Sequence, residues 1–185
     1  MITIASLWLP IVLSAIAVFV ASSLMHTVLG YHWNDLRSVP NESGLLDALR
    51  SLNIPPGDYH APRARDSAHM RSPEYKELVK RGPMVLFTVQ GGSFAMGRRL
   101  GQWFVYLLIV SFCCAYVASR ALPQGAPYLS VFRLAGCSAF LAYSLALPQA
   151  AIWYDRNWRL TVVAMIDGLV YAGIVGGFFG WLWPR

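Results

Sequence analysis

The sequence predicts an all-α membrane protein: four transmembrane helices, with a small α+β cytoplasmic domain inserted between the first and the second. Three observations predict it. First, the 185-residue chain is 56% hydrophobic and 13% charged, where a soluble domain carries about a quarter charged residues. Second, the shortfall comes from four runs without charge: Met1 to Met25, Leu100 to Ser119, Leu134 to Tyr154, and Leu160 to Pro184 broken only by Asp167. Each has about the 20 residues needed to cross a hydrocarbon core of roughly 30 Å. Third, small residues recur every four positions in the last two runs, the pattern that lets helix backbones approach in lipid. The spans are placed at 1–27, 100–120, 131–154 and 159–183, with the polar domain at 28–99.

The net charge of +6 is unevenly spread, and ten of the 15 Lys and Arg lie in the long connection. Arg98 and Arg99 end that connection, where they meet lipid headgroups, and Arg156 and Arg159 lie on the same side. The positive-inside rule then puts residues 28–99 in the cytoplasm and both termini outside. Seven acids are interleaved with the bases of this connection, so no basic stripe emerges and nucleic acid is not an expected partner.

The first run lacks the basic start of a signal peptide and exceeds the usual length of its apolar region. Although Ala21-Ser22-Ser23 has the small residues of a cleavage site, the run is expected to be a retained span. Met25 to Asp35 is its membrane exit, with aromatics at the interface. Within the domain, Asn41 or Ser43 caps a helix over about 43–52, whose Leu45, Leu46, Leu49 and Leu52 share a face. A second helix is predicted over 73–81. Ser72 caps it, Pro73 takes its first position, Lys80 and Arg81 suit its end, and Gly82-Pro83 stops it. Residues 84–89 favour a strand, and the segment around Tyr59 is its candidate partner in a two-stranded ribbon.

In the fourth span, Gly168, Ala172, Gly176 and Gly180 form one row, with Gly173 and Gly177 beside it. In the third, Ser138, Ala142, Ala146 and Ala150 are each four apart. The short link between these spans makes them antiparallel neighbours, so both rows are expected at their seam. Cys113, Cys114 and Cys137 lie in spans, with no metal or disulfide spacing, and read as small apolar side chains.

Two groups of residues carry chemistry. Asp167 lies eight residues beyond Arg159, about 12 Å into the membrane. A charge there costs about 2.5 to 3.5 kcal/mol on insertion scales. Tyr143 and Gln149 are its expected neighbours, and Arg99 and Arg159 are candidates to snorkel toward it. It is either a carboxylate in a cation path or a structural acid. The second group is His26, His32 and Asp35, the only dense set of potential metal ligands; His60 and His69 follow in the polar domain. Imidazole and carboxylate suit zinc or another divalent ion, but the spacing matches no compact ligand motif, and hydrogen-bonded interface histidines are the competing reading. No nucleophile elbow, phosphate loop or dinucleotide fingerprint is present.

The phrases His26 to Asp35, Arg71-Ser72-Pro73-Glu74-Tyr75, Arg81-Gly82-Pro83, Val131-Phe132-Arg133, Asp167 to Tyr171 and Gly180-Trp181-Leu182-Trp183-Pro184 resemble a group of small four-span bacterial membrane proteins of roughly this length. That group has no assigned activity. The resemblance implies a bacterial inner-membrane protein and carries over no functional residue.

The leading expectation is a non-enzymatic interaction protein or accessory subunit without a cofactor, whose partners are the bilayer and another membrane protein or itself. Small-residue rows, seven tryptophans and the lack of a catalytic motif motivate it. The alternatives are a small oligomeric transporter or channel using Asp167, and a metal-dependent membrane enzyme using His26, His32 and Asp35.

Overall fold

The computed structural model describes residues 2–33, 35–92 and 95–185. Met1 of the first span, Asn34 of the membrane exit, and Ser93 and Phe94 before the second span lie outside the described residues. In chain order the elements are α1 (Trp8–Thr27, after a 3-10 turn Ile4–Leu7), α2 (Glu42–Ser51), β1 (Gly57–Ala61), α3 (Ser67–Arg71), α4 (Pro73–Arg81), β2 (Val85–Val89), α5 (Met96–Ala121), α6 (Tyr128–Tyr143), α7 (Pro148–Tyr154) and α8 (Trp158–Trp181). They fall into two units, residues 37–94 and the remainder.

The larger unit holds four stretches long and apolar enough to cross a membrane: Ile4–Thr27, Met96–Ala121, Tyr128–Tyr154 and Trp158–Trp181. They close a four-membered ring in which α1 packs on α5 and α8, and α6 packs on α5 and α8. Ala15, Ala115, Ala118, Ala135 and Ala139 are fully buried at its centre beside larger side chains, Leu7, Leu107, Val131, Val175 and Phe179, while Val20, Ile109, Phe112 and Leu169 are exposed on the outside. The small residues let the helices approach closely, which is how association is driven in a lipid solvent. A buried Ser14–Ser111 hydrogen bond of 3.1 Å joins α1 to α5 at mid-height.

At the α6–α8 seam, Gly168, Ala172 and Gly176 are buried. A Cβ on Gly176 would stand 2.8 Å from the Phe132 carbonyl oxygen and 3.2 Å from Gly136 Cα. A Cβ on Gly180 would meet the Tyr128 ring at 2.7 Å. The adjacent row does not pack in this way: nothing lies within 4 Å of a Cβ on Gly173, and Gly177 has only the Tyr128 hydroxyl at 3.9 Å. The expected row on the third span is also displaced. Ala142 and Ala146 are exposed, and Ser138 and Ala150 half-buried. Gly136 stands at the seam instead, where a Cβ would lie 3.3 Å from the Ala172 carbonyl oxygen.

The third span is interrupted, because Pro148 has no N–H to give the Ser144 carbonyl and its ring would strike it. That carbonyl accepts from Leu147 N at 3.1 Å, in a turn that ends α6 and restarts the helix as α7. Cys114 is buried, whereas Cys113 and Cys137 are exposed on the outer surface, not in the core as expected.

In the smaller unit β1 and β2 pair antiparallel with Tyr59 opposite Phe87, their rings stacked at 5.5 Å. The Asn41 side chain caps α2 by accepting from Gly44 N at 3.0 Å. The short α3, not anticipated, is capped by Asp66 accepting from His69 N at 2.7 Å. Ser72 caps α4 by accepting from Tyr75 N at 3.1 Å, and Gly82 ends that helix at φ +56°, where a side chain would be strained. Ser72→Ala is expected to cost about 1 kcal/mol. It should speed hydrogen exchange at the Tyr75 amide roughly fivefold in the intact protein; unchanged protection would deny the cap its role.

Candidate metal centre

The last turns of α1 place His26 directly after Ser22 on one face. His26 Nδ1 lies 2.9 Å from the Ser22 carbonyl oxygen. A carbonyl only accepts, so Nδ1 carries the proton of this bond, which leaves Nε2 as the nitrogen that could face a ligand. Beyond Thr27 the chain turns back through Gly30, whose φ of +65° is open to glycine. Two successive turns follow, closed by Trp33 N to Gly30 O at 3.1 Å and Asp35 N to His32 O at 3.0 Å. They bring Tyr31 and His32 beside α8.

There Asp167 is 4% exposed. The Tyr31 hydroxyl donates to its Oδ1 at 2.5 Å, and burial together with the Asp167 carboxylate raises the Tyr31 phenol above its ordinary range, holding the proton on the donor. Asp167 Oδ2 stands 3.0 Å from His32 Nε2. The opposite nitrogen, His32 Nδ1, is 2.6 Å from Asp35 Oδ2, and Arg159 reaches to 3.9 Å from Asp35 Oδ1. The His26 and His32 rings stack at 4.1 Å, within 9° of parallel.

One ligand atom from each of His26, His32 and Asp167 therefore lies within 4.8 Å of the other two. His32 Nε2 is buried yet makes no hydrogen bond, so its 3.0 Å approach to Asp167 Oδ2 is off the line that a shared proton needs. Two ligands of one tetrahedral ion, each at 2.0 to 2.1 Å, are about 3.3 Å apart, and the His32–Asp167 pair, at 3.0 Å, is close to that. Each ligand group has its other polar atom pinned: Ser22 holds His26, Asp35 holds His32, and Tyr31 holds Asp167. This is the supporting shell that fixes tautomer and orientation in metal sites.

Asp167 and His26 also line a cavity of about 880 Å³ at the end of the bundle that carries Thr27, Met96 and Ala164. Structural zinc sites close with four protein ligands, whereas catalytic ones hold three and leave a side open. Two imidazoles and one carboxylate beside a cavity have the second form.

The placement of the predicted residues differs from expectation in several ways. Asp35 pairs with His32 Nδ1, and Asp167 rather than Asp35 joins His26 and His32 in the group that could hold an ion. Tyr143 does not bond to Asp167; its hydroxyl is buried without a partner among the described residues. Gln149 is exposed on α7 and is not among the residues that line the cavity. Of the two candidate arginines, Arg159 reaches Asp35, not Asp167. His69 is engaged locally, its Nδ1 accepting from Arg65 N at 3.1 Å. Tyr31 was missed, since an aromatic at a membrane exit reads first as an interface anchor.

No family model matches this chain, and neither a curated protein nor a solved structure is similar to it.

Proposed function

We propose that this chain is a metal-dependent membrane enzyme that holds one divalent transition-metal ion between His26, His32 and Asp167 and uses its open side as a Lewis acid toward a molecule in the adjoining cavity. The observation that carries this reading is the convergence of three ligand atoms within 4.8 Å, each group tethered through its other polar atom. The donor set suits zinc and also ferrous iron, whose oxygenases use two histidines and a carboxylate. The bound ion would polarise a substrate oxygen or activate a water. The same reading keeps residues 28–99 on the cytoplasmic side of a bacterial inner membrane, by the arginine distribution, so the cavity end faces the cytoplasm.

The geometry favours this over the alternatives for specific reasons. An oligomeric channel expects Asp167 to face a cavity or an oligomer axis, and Asp167 does line a cavity; beyond it Ser14, Ala15, Val18, Leu107, Ser111 and Val175 are fully buried, which leaves no continuation within one protomer. Asp167 is also paired inside one protomer, through Tyr31 and His32. The accessory-subunit reading leaned on the lack of a catalytic constellation, which the three ligands supply.

The test is elemental analysis of protein extracted in mild detergent, loaded with Zn(II), Fe(II) or Mn(II) and desalted. About one ion per chain is expected, and Asp35→Asn should weaken retention about 10- to 100-fold while leaving all three ligands in place. No stoichiometric ion under any loading sinks the proposal. A foreign subunit in the native mass spectrum of such metal-free protein would return the weight to an accessory role.

A further inference from the structure

The cavity beside the metal ligands has walls of one character and a floor of another. Met96, Leu100, Trp103, Leu147 and Ala164 line it with apolar surface. Met96 and Leu100 are 54% and 41% exposed on the outside of α5, so the apolar wall runs out to the surface that lipid covers. Two tyrosines stand deeper. Tyr143 and Tyr171 are 8% and 4% exposed, their rings packed edge to face at 5.7 Å. Both line the cavity, and both hydroxyls are buried without a hydrogen-bond partner among the described residues. Tyr106, the third phenol there, is satisfied by the Ala142 carbonyl at 3.3 Å. A buried hydroxyl without a partner is costly, and two in one cavity beside three potential ligands point to an oxygen that arrives with the occupant. Among the described residues no Lys or Arg lines the cavity, although a phosphate or sulfate head would call for one.

We infer that the cavity takes the acyl group of a neutral lipid, with the hydrocarbon chain along Met96, Leu100, Trp103 and Leu147 and the carbonyl oxygen between the Tyr143 and Tyr171 hydroxyls and the open side of the metal. This deepens the enzyme reading and rests on it. Donors fixed around a carbonyl oxygen in a water-poor site also stabilise the charge that develops there when the carbonyl is attacked.

The probes are 1-monooleoylglycerol and its ether analogue, 1-O-oleylglycerol, which differ only in the carbonyl. Each is titrated into metal-loaded full-length protein and read by native mass spectrometry. Expected is roughly tenfold tighter binding of the ester, a preference that Tyr143→Phe/Tyr171→Phe removes with metal content unchanged. The variant deletes only unpaired hydroxyls, so its thermal stability should match or exceed that of the wild type. Equal binding of ester and ether to fully metallated wild type overturns the inference and leaves the metal reading intact. So does oleyl phosphate displacing both. Protein that holds no metal but keeps a tyrosine-dependent ester preference overturns the metal reading and leaves the lipid assignment standing.

Discussion

If His26, His32 and Asp167 hold a metal as proposed, Asp167→Asn is expected to remove it without unfolding the protein. The amide is nearly isosteric, and its oxygen can still accept from Tyr31, which now bonds Asp167 Oδ1 at 2.5 Å. What disappears is the anionic oxygen that sits 3.0 Å from His32 Nε2. Losing one of three ligands should weaken metal affinity beyond the 10- to 100-fold that a supporting residue costs. A charge at this depth costs about 2.5 to 3.5 kcal/mol on insertion scales, so metal-free variant should melt no lower than metal-free wild type. The two quantities separate the roles. Full metal content with a melting temperature several degrees lower would make Asp167 a structural acid. If neither quantity changed, the catalytic and the structural role would both be excluded.

Gly176→Leu should have the largest effect on the fold. A Cβ there would meet the Phe132 carbonyl oxygen at 2.8 Å, the Phe132 ring at 3.1 Å and Gly136 Cα at 3.2 Å. The ring can turn away, but the nearest atom is backbone, so no rotamer change relieves the clash and α6 and α8 must separate. Overpacking of an ordinary core costs about 1 to 3 kcal/mol, and a rigid seam belongs at the upper end or above. The check is the melting temperature and size-exclusion profile in detergent, with Gly173→Leu as control, since a Cβ on Gly173 meets nothing within 4 Å. Equal behaviour of the two variants would mean that this seam does not hold the bundle.

The spans were legible because lipid imposes a length and a composition that few other demands produce. The interruption at Ser144–Leu147 was not, because Pro148 sits in an unbroken apolar run and membrane helices often retain a proline. Rows of small residues were half legible. Gly168, Ala172 and Gly176 stand at the seam, whereas alanines at four-residue spacing are too common to choose a face by themselves. Gly136, the one glycine of the third span, was the better marker of contact.

At the site, each half was visible alone. His26, His32 and Asp35 stood out as a cluster, and Asp167 as a costly acid. Their convergence was not visible, since Tyr31 and Asp167 are 136 residues apart and the turn that swings His32 toward α8 depends on Gly30. The exchange of roles between Asp35 and Asp167 follows from that turn: Asp35, three residues from His32, can reach only the near side of the ring.

In the proposed centre the candidate ligands come from the first span (His26), the turn after it (His32) and the fourth span (Asp167), and that sets an order of events during synthesis. When α1 leaves the ribosome, it and the following turn can offer a metal two imidazoles and Asp35. The third ligand exists only after more than a hundred further residues have been translated and α8 has entered the bilayer. An ion captured early would hold a ligand set with Asp35 in the place of Asp167, and would have to release it for the bundle to close. Loading is therefore tied to completion of the bundle, and nascent chains arrested before Asp167 should exchange metal freely, whereas chains that include α8 should retain it.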